Sequence, residues 1–376
     1  MKYCQSCLQP DTRPGTLFQK GICPACSFIL NSQIWDWEQR VQILKQRLSE
    51  LTARSKGKYD SILGVSGGKD STRLALWARD FLGLRPLLVS VSYPPEQISK
   101  RGTDNLNNLA ELGFDIYSSS PSPILWKKLM RKAFLESANW AKPTELALYG
   151  GVPKIAIELG INVILWGENP ALQVGALETL GKTGWDGNQL RNMNTLTGMT
   201  GEWFSIAGST EDNFLPYQYP TESQFLENEI QIVFLGWAMR TWGFLENGLS
   251  ASLEGLSGRS DFARNTSDLI GLTAVDEDWV ILNQMIKYYK YGFGRGTDYV
   301  NEWIRKGFIS RDSAIKLVDT FDGACSNDYI ESFCEFIEIT IEQFWGVVNE
   351  VTNKDLFDIS KNGRPERKFA IGVGIL

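Results

Sequence analysis

Short runs of apolar residues alternate with polar, helix-forming segments from residue 59 onward, and this alternation predicts the fold. The runs carry few polar positions, as in strands that are buried on both faces of a parallel sheet. Segments with helical character, such as 72–78 and 101–112, lie between them. The pattern predicts an α/β fold with a doubly wound parallel sheet, and the predicted strands cover residues 61–65, 87–91, 114–117, 161–166 and 230–237.

The carboxyl ends of the predicted strands are where ligands collect in a sheet of this kind. Three segments directly follow predicted strands and should converge there, namely 66–71, 92–94 and 167–170. We therefore expect the 66–71 segment, Ser92 and Gly167 to contribute to one ligand site.

The chain outside the sheet differs in pattern and divides the protein into four predicted parts. The first part carries two cysteine pairs, the second has the apolar spacing of an amphipathic connector helix, the third holds the sheet, and the fourth is mainly helical. These parts are residues 1–32, 33–56, 57–245 and 246–376.

Three further expectations concern the later parts of the chain. Residues 170–230 are rich in Gly, Asn, Thr and Trp with weak periodicity, which predicts long loops and short elements that cover the site. In the helical part, Thr340 and Gln343 have the spacing of a capping box. Cys325 and Cys334 belong to no Cys-x-x-Cys pair, so we expect them to be packing residues.

The 66–71 segment carries the strongest chemical signal in the chain. It lies between a predicted strand and a predicted helix, where the amides of a glycine-rich turn and the helix N-terminus can converge on an anion. A lysine adds a full positive charge and two serines add hydroxyl donors. The segment predicts a phosphate site, although it is shorter than the Walker A frame; its members are Ser66, Gly67, Gly68, Lys69, Asp70 and Ser71.

Four cysteines near the N-terminus form two Cys-x-x-Cys pairs that are separated by fifteen residues, the spacing of a four-cysteine zinc site. Since no histidine is available, the four thiolates must supply the whole tetrahedral shell. A closed shell of this kind leaves no position for chemistry and indicates a structural Zn²⁺. The alternatives are disulfides, which a reducing cytoplasm disfavours, and a redox pair. The four residues are Cys4, Cys7, Cys23 and Cys26.

Composition and charge narrow the class of protein. The 376 residues are 43% hydrophobic, as in a globular protein with a buried core, and the net charge of −6 argues against a nucleic-acid surface. No run approaches the roughly 18 apolar residues that span a bilayer. The residues around Cys4 and Cys7 are too polar for a signal peptide. We therefore expect a cytoplasmic protein with no membrane span and no nucleic-acid partner.

The chain contains no histidine, which excludes several kinds of catalytic site. Ser-His-Asp and Cys-His nucleophile systems need imidazole. Any general acid–base catalysis must therefore use carboxylates, lysine, tyrosine or groups of the substrates. A glutaminase site of the Cys-His-Glu type is excluded for the same reason. The N-terminal-nucleophile type needs a cysteine at the mature N-terminus, whereas the first cysteine here is Cys4.

The order Ser-Gly-Gly-Lys-Asp-Ser resembles the PP-loop of ATP pyrophosphatases, which release pyrophosphate and transfer AMP to an oxygen of the substrate. Further motifs narrow this resemblance to the N-acetyl sugar amidotransferases, of the WbpG and PseA type, that act in bacterial surface-polysaccharide assembly. The resemblance spans nearly the full chain. It rests on the cysteine pairs with Pro10-Asp11-Thr12-Arg13-Pro14 between them, residues 166–170 and 283–295, Val318-Asp319-x-x-Asp322-Gly323, and Glu342-x-Phe344-Trp345.

The resemblance implies an ATP-binding fold of the adenine nucleotide alpha hydrolase type and a specific reaction. An acetamido group on a nucleotide- or lipid-linked N-acetyl sugar would become an acetamidino group, in the synthesis of lipopolysaccharide O-antigen or a related glycan. Lys69 would stabilise the phosphates of ATP. Asp70 and Glu168 would hold Mg²⁺ as hard oxygen ligands. For Glu168, an N-cap or a solvated loop carboxylate is the alternative.

The resemblance also suggests a partner. Because the chain lacks both kinds of glutaminase site, it would need free ammonia or a separate glutaminase subunit. The suggested partner is similar to the glutaminase and synthase subunits of histidine biosynthesis (HisH/HisF-like).

Two other functions are compatible with the sequence. A PP-loop combined with four cysteines also occurs in tRNA-modifying sulfur or lysine ligases, although the acidic charge and the lack of a basic cluster count against this reading. A non-enzymatic nucleotide-binding assembly subunit is the other possibility, and the intact Lys69 and Asp70 count against it.

Overall fold

The computed structural model describes residues 1–32, 36–53, 55, 57–167, 183–193, 196, 201–204 and 211–375. Its centre is a sheet of five parallel strands: β1 (Ser61–Gly64), β2 (Pro86–Val91), β3 (Ile116–Ser119), β4 (Val163–Trp166) and β5 (Gln231–Phe234).

The strand order is β3-β2-β1-β4-β5. The chain first builds outward from β1 in one direction and then returns to the other side of β1, so the order reverses between β1 and β4. In the middle of the sheet, Leu63 pairs with Leu88 on one side and Leu165 on the other. All three side chains are buried, as expected for strands covered on both faces. The predicted parallel sheet is confirmed.

Helices cover both faces of the sheet, which confirms the doubly wound architecture. One face packs against helices α2 (Trp37–Thr52), α3 (Lys69–Leu76) and α4 (Lys100–Glu111). The other face packs against α6 (Ala141–Leu159), and α5 (Pro123–Ser137) packs against α6 in turn. The helix predicted within 33–56 is present as α2. Its N-cap is Asp36, and the Asp36 side chain accepts a hydrogen bond from the Gln39 amide at 2.9 Å.

Within residues 170–230, the described part contains short elements, as predicted. They are two 3₁₀ turns (Asn188–Asn192 and Glu211–Tyr217) and two short helices, α7 (Gly201–Phe204) and α8 (Glu222–Glu227).

The C-terminal part is helical, as predicted. It ends in two hairpins, whose strands were not predicted from the sequence. Its last helix, α15 (Ile341–Val351), begins with the predicted capping box, in which the Gln343 amide donates to Thr340 Oγ1 at 3.1 Å and the Thr340 amide donates to Gln343 Oε1 at 2.9 Å. Cys334 is buried in the helical core, and Cys325 packs against it. The helices are α9 (Phe244–Leu253), α10 (Ala263–Thr266), α11 (Val280–Tyr291), α12 (Arg295–Arg305), α13 (Arg311–Phe321), α14 (Asn327–Ile337) and α15 (Ile341–Val351). The hairpin strands are β6 (Phe357–Ile359), β7 (Pro365–Arg367), β8 (Phe369–Ala370) and β9 (Gly374–Ile375).

The N-terminal segment, which includes α1 (Pro24–Ser32), packs against this C-terminal part. The Leu8 amide donates to Asn301 Oδ1 at 2.7 Å, and Arg13 pairs with Asp298. Leu8 itself is fully buried among residues of the helices and hairpins. The first and last parts of the chain therefore form one packed unit beside the sheet.

No helix in the described part of the chain is both long enough and apolar enough to cross a bilayer.

Candidate functional site

The 66–71 segment turns sharply between β1 and α3, and its glycines are required by geometry. Gly67 has a φ of +77°, and a Cβ there would lie 2.9 Å from the Leu106 amide nitrogen of α4. The helix begins at Lys69 with Gly68 as its N-cap, three residues before the predicted start at Thr72. As a consequence, the second half of the segment is the first helical turn, where backbone N–H groups have no partner within the helix.

A cavity of about 260 Å³ opens at the carboxyl ends of β1, β2 and β4, beside this turn. Six of the residues predicted for the site line it: Ser66, Gly68, Lys69, Asp70, Ser71 and Gly167.

Two other predicted residues are placed away from the cavity, and a third cannot be assigned a place. Gly67 does not line the cavity, because it lies against α4. Ser92 does not line it either; its amide donates to the Ser119 carbonyl at 2.8 Å and extends the pairing of β2 with β3. Glu168 lies outside the described residues.

One end of the cavity is apolar and suited to a planar ring. Tyr149 and Trp166 stack at a centroid distance of 5.3 Å and both line the cavity, together with the buried Val152. At the end of β4, a Cβ on Gly167 would lie 1.9 Å from Leu74 Cδ1. The absence of a side chain there lets α3 pack closely against the strand end and keeps the cavity open.

The other end of the cavity carries charged side chains, and a residue of α9 holds them in place through hydrogen bonds. Lys69 is 3% exposed, and its Nζ donates to Asp70 Oδ2 at 2.6 Å. Asn247 Nδ2 donates to the second oxygen, Asp70 Oδ1, at 2.6 Å, and Arg73 donates to Asn247 Oδ1 at 2.6 Å. The sequence offered no motif that identifies Asn247, since it lies 177 residues from Asp70 in the chain.

A wall of the cavity comes from residues 272–276, in the part of the chain that was predicted to be separate from the sheet. Asp276 is 7% exposed and lines the cavity, and burial raises its pKa although a hydrogen bond with Tyr93 acts against this rise. Behind it, burial raises the pKa of Glu277 to about 8. In a chain without histidine, a cavity carboxyl with a raised pKa is suited to hold or release a proton.

The four predicted metal ligands come together at the N-terminus. Their four Sγ atoms lie within 4.8 Å of one another, and all four side chains are buried. A tetrahedral site with metal–sulfur bonds of about 2.3 Å has sulfur–sulfur edges of about 3.8 Å, and Cys7 Sγ and Cys23 Sγ are 3.8 Å apart. The cluster therefore fits a single tetrahedral ion that prefers sulfur ligands.

The surroundings of the cluster also favour bound thiolates. Backbone amides donate to the sulfur atoms, with Cys23 N at 3.3 Å from Cys4 Sγ and Cys26 N at 3.4 Å from Cys23 Sγ. Arg305 lies nearby: burial acts to lower its pKa, but its attraction to the thiols of Cys7, Cys26 and Cys23 outweighs burial and raises the pKa. This cation offsets part of the negative charge that four thiolates bring.

Asp298 joins the metal segment to the helical part through two cations. It accepts from Arg13, and Lys287 Nζ lies 2.6 Å from its second oxygen. Burial alone would raise the pKa of Asp298, but the attraction of Lys287 and Arg13 holds it well below the usual range. The ionised carboxylate is thus favoured by folding, and its contribution is present above about pH 4 and lost as the pH falls.

Replacing Asp298 with asparagine should lower the free energy of unfolding at pH 7 by about 3 kcal/mol, because two half-buried cations lose their counter-ion. The difference from wild type should shrink as the pH falls below about 4. Urea denaturation at several pH values measures both effects. Asp319→Asn is the matched control, since Asp319 pairs with Arg367 at an exposed position and should cost less than about 1 kcal/mol. Equal losses in the two variants would contradict this role of Asp298.

Comparison with known proteins gives one match to a protein family. Residues 261–368 match the family model described as "LPS biosynthesis protein WbpG-like, C-terminal domain". This segment is less than a third of the chain, and it includes residues 272–276 of the cavity wall. A search of curated proteins found no match to the sequence.

Distant likenesses to solved structures also exist. One is a predicted subunit of tRNA methyltransferase from Methanocaldococcus jannaschii (13% identity, TM-score 0.26, 51% of this chain and 74% of the other). A second is NMN synthetase from Francisella tularensis (15% identity, TM-score 0.28, 61% of this chain and 100% of the other). A third is the U34-tRNA thiolase NcsA from Methanococcus maripaludis with its [4Fe-4S] cluster (14% identity, TM-score 0.26, 57% of this chain and 72% of the other). At these TM-scores, the likenesses carry no argument about function.

Proposed function

We propose that this protein is an ATP-dependent amidotransferase that converts the acetamido group of an N-acetyl sugar into an acetamidino group, in the synthesis of a bacterial surface polysaccharide. One observation carries the proposal. The 66–71 segment and residues 272–276 line the same cavity, and the second of these belongs to the region that matches the WbpG-like family. This arrangement supports a site in which the turn that we predict to bind phosphate meets residues of the region that matches the WbpG-like family.

The cavity suits ATP in one orientation. The adenine ring would lie at the apolar end near Tyr149, Trp166 and Val152. The phosphates would lie against the first turn of α3, where the backbone amides and Lys69 stabilise negative charge without any proton transfer. Asp70 would contribute an oxygen ligand to Mg²⁺, which would neutralise further phosphate charge.

The reaction would proceed in two displacements. The acetamido oxygen attacks the α-phosphorus of ATP, the bond to the β-phosphate oxygen breaks, and pyrophosphate leaves. Ammonia then attacks the carbon of the adenylated group, and the C–O bond breaks, so that AMP leaves with the original oxygen. Protons lost by the nitrogen nucleophile need an acceptor, and Asp276 is the cavity carboxyl that we propose for this role.

The four-cysteine cluster would hold a structural Zn²⁺. All four ligands are thiolates, so no position is left for substrate, and the ion would act by fixing the N-terminal segment. This role is consistent with the packing of that segment on the helical part.

The nitrogen would come from outside this chain. The 376 residues contain no histidine, so a Cys-His-Glu glutaminase site is excluded. We propose that ammonia comes from solution in vitro, and in the cell from a separate glutaminase with an ammonia-channelling subunit of the HisH/HisF-like kind.

The proposal is tested by supplying the purified protein with ATP, Mg²⁺, an ammonium salt and a set of UDP-linked N-acetyl sugars. We expect a sugar product in which NH replaces oxygen, together with AMP and pyrophosphate, as measured by mass spectrometry. The rate should rise with pH, since free ammonia is the nucleophile. Glutamine alone should not replace ammonium, and no glutamate should form.

Other products would contradict the proposal. Release of ADP and phosphate would rule out adenylation, and ATP consumption that depends on bulk tRNA would favour a tRNA-modifying enzyme. Release of glutamate from glutamine at the rate of amidination would contradict the need for a separate glutaminase. Mass spectrometry of surface polysaccharide from a deletion strain would identify the sugar that loses its amidine.

A further inference from the structure

A second chamber, of about 230 Å³, adjoins the cavity. Lys69, Asp70 and Thr273 line both spaces, so the two meet at the charged end of the cavity. Five parts of the chain form the chamber: the N-terminal segment, the first turn of α3, the start of α9, the segment at Thr273, and helix α12. We call it the basic chamber and define it by Arg13, Lys69, Arg295, Asp298, Asn301 and Arg305.

Positive charge exceeds negative charge in the basic chamber. Its two carboxylates are already paired, Asp70 with Lys69 and Asp298 with Arg13. Arg295 and Arg305 have no ion pair among the residues that the structure describes, although Arg305 also lies near the cysteine thiols. The four cations that line the chamber outnumber its two carboxylates, although the cysteine thiolates offset part of the charge of Arg305. An anion in the chamber would reduce the remaining repulsion.

Two buried donors in the basic chamber lack acceptors. Asn301 is 1% exposed, and its Oδ1 accepts the Leu8 amide at 2.7 Å, which fixes Nδ2 as the remaining donor. Within the described part of the chain, neither Asn301 Nδ2 nor Arg305 Nε has a hydrogen-bond partner. Buried donors are normally satisfied, and unsatisfied ones are costly. Both donors belong to residues that line the chamber.

We infer that the basic chamber binds a diphosphate group. Such a group carries several acceptor oxygens and multiple negative charges, and arginine side chains bind phosphate oxygens with paired donors. Two sources can present it: the pyrophosphate portion of ATP, or the carrier diphosphate of a nucleotide-linked sugar. The second source rests on the proposed function, whereas the anion site itself does not.

The position of the chamber has a consequence for the acceptor. A sugar whose diphosphate lies between Arg295 and Arg305 would reach the ATP cavity past Lys69 and Asp70, which line both spaces. The chamber would thereby bind the substrate by its carrier and leave the acetamido group free to meet the α-phosphate.

Isothermal titration calorimetry on the full metal-loaded chain tests the inference without turnover. The probes are inorganic pyrophosphate and UDP-N-acetylglucosamine, with AMP and UMP as ligands that lack a diphosphate. Arg295→Gln should weaken binding of a diphosphate probe about tenfold or more, because a charge-assisted hydrogen bond is lost. Arg295→Lys should restore part of the affinity. Asn301→Asp, which keeps the acceptor for Leu8 but removes the Nδ2 donor, should also weaken binding.

Arg264→Gln is the matched control, because Arg264 is an exposed arginine of the helical part that does not line the chamber. It should bind every probe as wild type does, and circular dichroism should confirm that each variant is folded. Loss confined to pyrophosphate would support the site and assign it to ATP. Loss for UDP-N-acetylglucosamine would support it and assign it to the acceptor. Wild-type affinity of Arg295→Gln for both diphosphate probes, or no binding of either probe to wild type, would overturn the inference.

A failure of amidination would leave this result intact. Binding of the probes is measured in the absence of ammonia and of chemistry, so the anion site and the proposed reaction can fail independently.

Discussion

Replacing Lys69 with alanine should lower the rate of AMP and pyrophosphate formation about a hundredfold. The ammonium group lies at the start of α3, where the proposed mechanism places the phosphates, and removal of one such stabilising charge or donor costs about 3 kcal/mol in the transition state. The loss should appear mainly in kcat, because the charge that Lys69 stabilises increases as pyrophosphate departs. Pyrophosphate release in the presence of ammonium and the sugar acceptor measures the effect.

Stability should change much less than rate in the Lys69→Ala variant. The Lys69 side chain is buried and pairs with Asp70. Asp70 is still held by Asn247 and is 40% exposed, so the variant should lose only about 1 kcal/mol in the free energy of unfolding.

Lys58→Ala is a suitable control for the rate measurement. Lys58 lies just before the amino end of β1, whereas the cavity lies at the carboxyl ends of the strands, and it is 71% exposed. It should keep the wild-type rate. If Lys69→Ala were as active as Lys58→Ala, the phosphate role of Lys69 would be disproved.

Replacing Cys23 with serine should abolish stoichiometric metal binding and destabilise the N-terminal segment by several kcal/mol. Metal binding to four thiolates contributes directly to folding, since the unfolded chain has no preformed site. Elemental analysis of the purified protein measures the metal, and thermal unfolding monitored at several wavelengths measures the stability. The wild type should contain about one Zn²⁺ per chain.

Cys325→Ser serves as the control, because Cys325 packs against the helical core and lies outside the cluster. It should keep the metal. Wild-type protein that carries no zinc, or that carries iron instead, would contradict the structural zinc site.

Much of the sheet could be predicted because its strands are short apolar runs, and a run such as 61–65 has few other ways to be buried. The 66–71 segment and the cysteine pairs were also recognisable, since each places its chemistry within a few consecutive residues. The start of α3 was missed by three residues. Gly68 acts as its N-cap without a side chain that could signal a helix start.

The remaining part of the site depends on tertiary contacts that no local pattern reports. Asn247 reaches Asp70 because α9 packs against α3. The segment that carries Asp276 is held in place by contacts that include the Ser99 amide, which donates to the Asp276 carbonyl at 2.9 Å, and Arg259, which donates to the Glu277 carbonyl at 2.6 Å. Neither Asn247 nor Asp276 belongs to a motif that could be recognised in the sequence. The predicted boundary at residue 245 also gave no sign that segments on both sides of it line one cavity. Periodicity identifies helices and strands, but it does not show which of them pack together.

The contact between Leu8 and Asn301 has a consequence for the order in which the protein is built. These residues are 293 positions apart, so the segment that carries Leu8 cannot dock until the much later segment that carries Asn301 has been synthesised. Contacts of such long sequence separation close large loops and form late in folding. During synthesis, the segment that carries the four cysteines would therefore be present before the surface on which it docks. A chain that stops before α12 would keep its cysteines and its phosphate turn and still lack the docking surface that brings Arg13 beside Lys69.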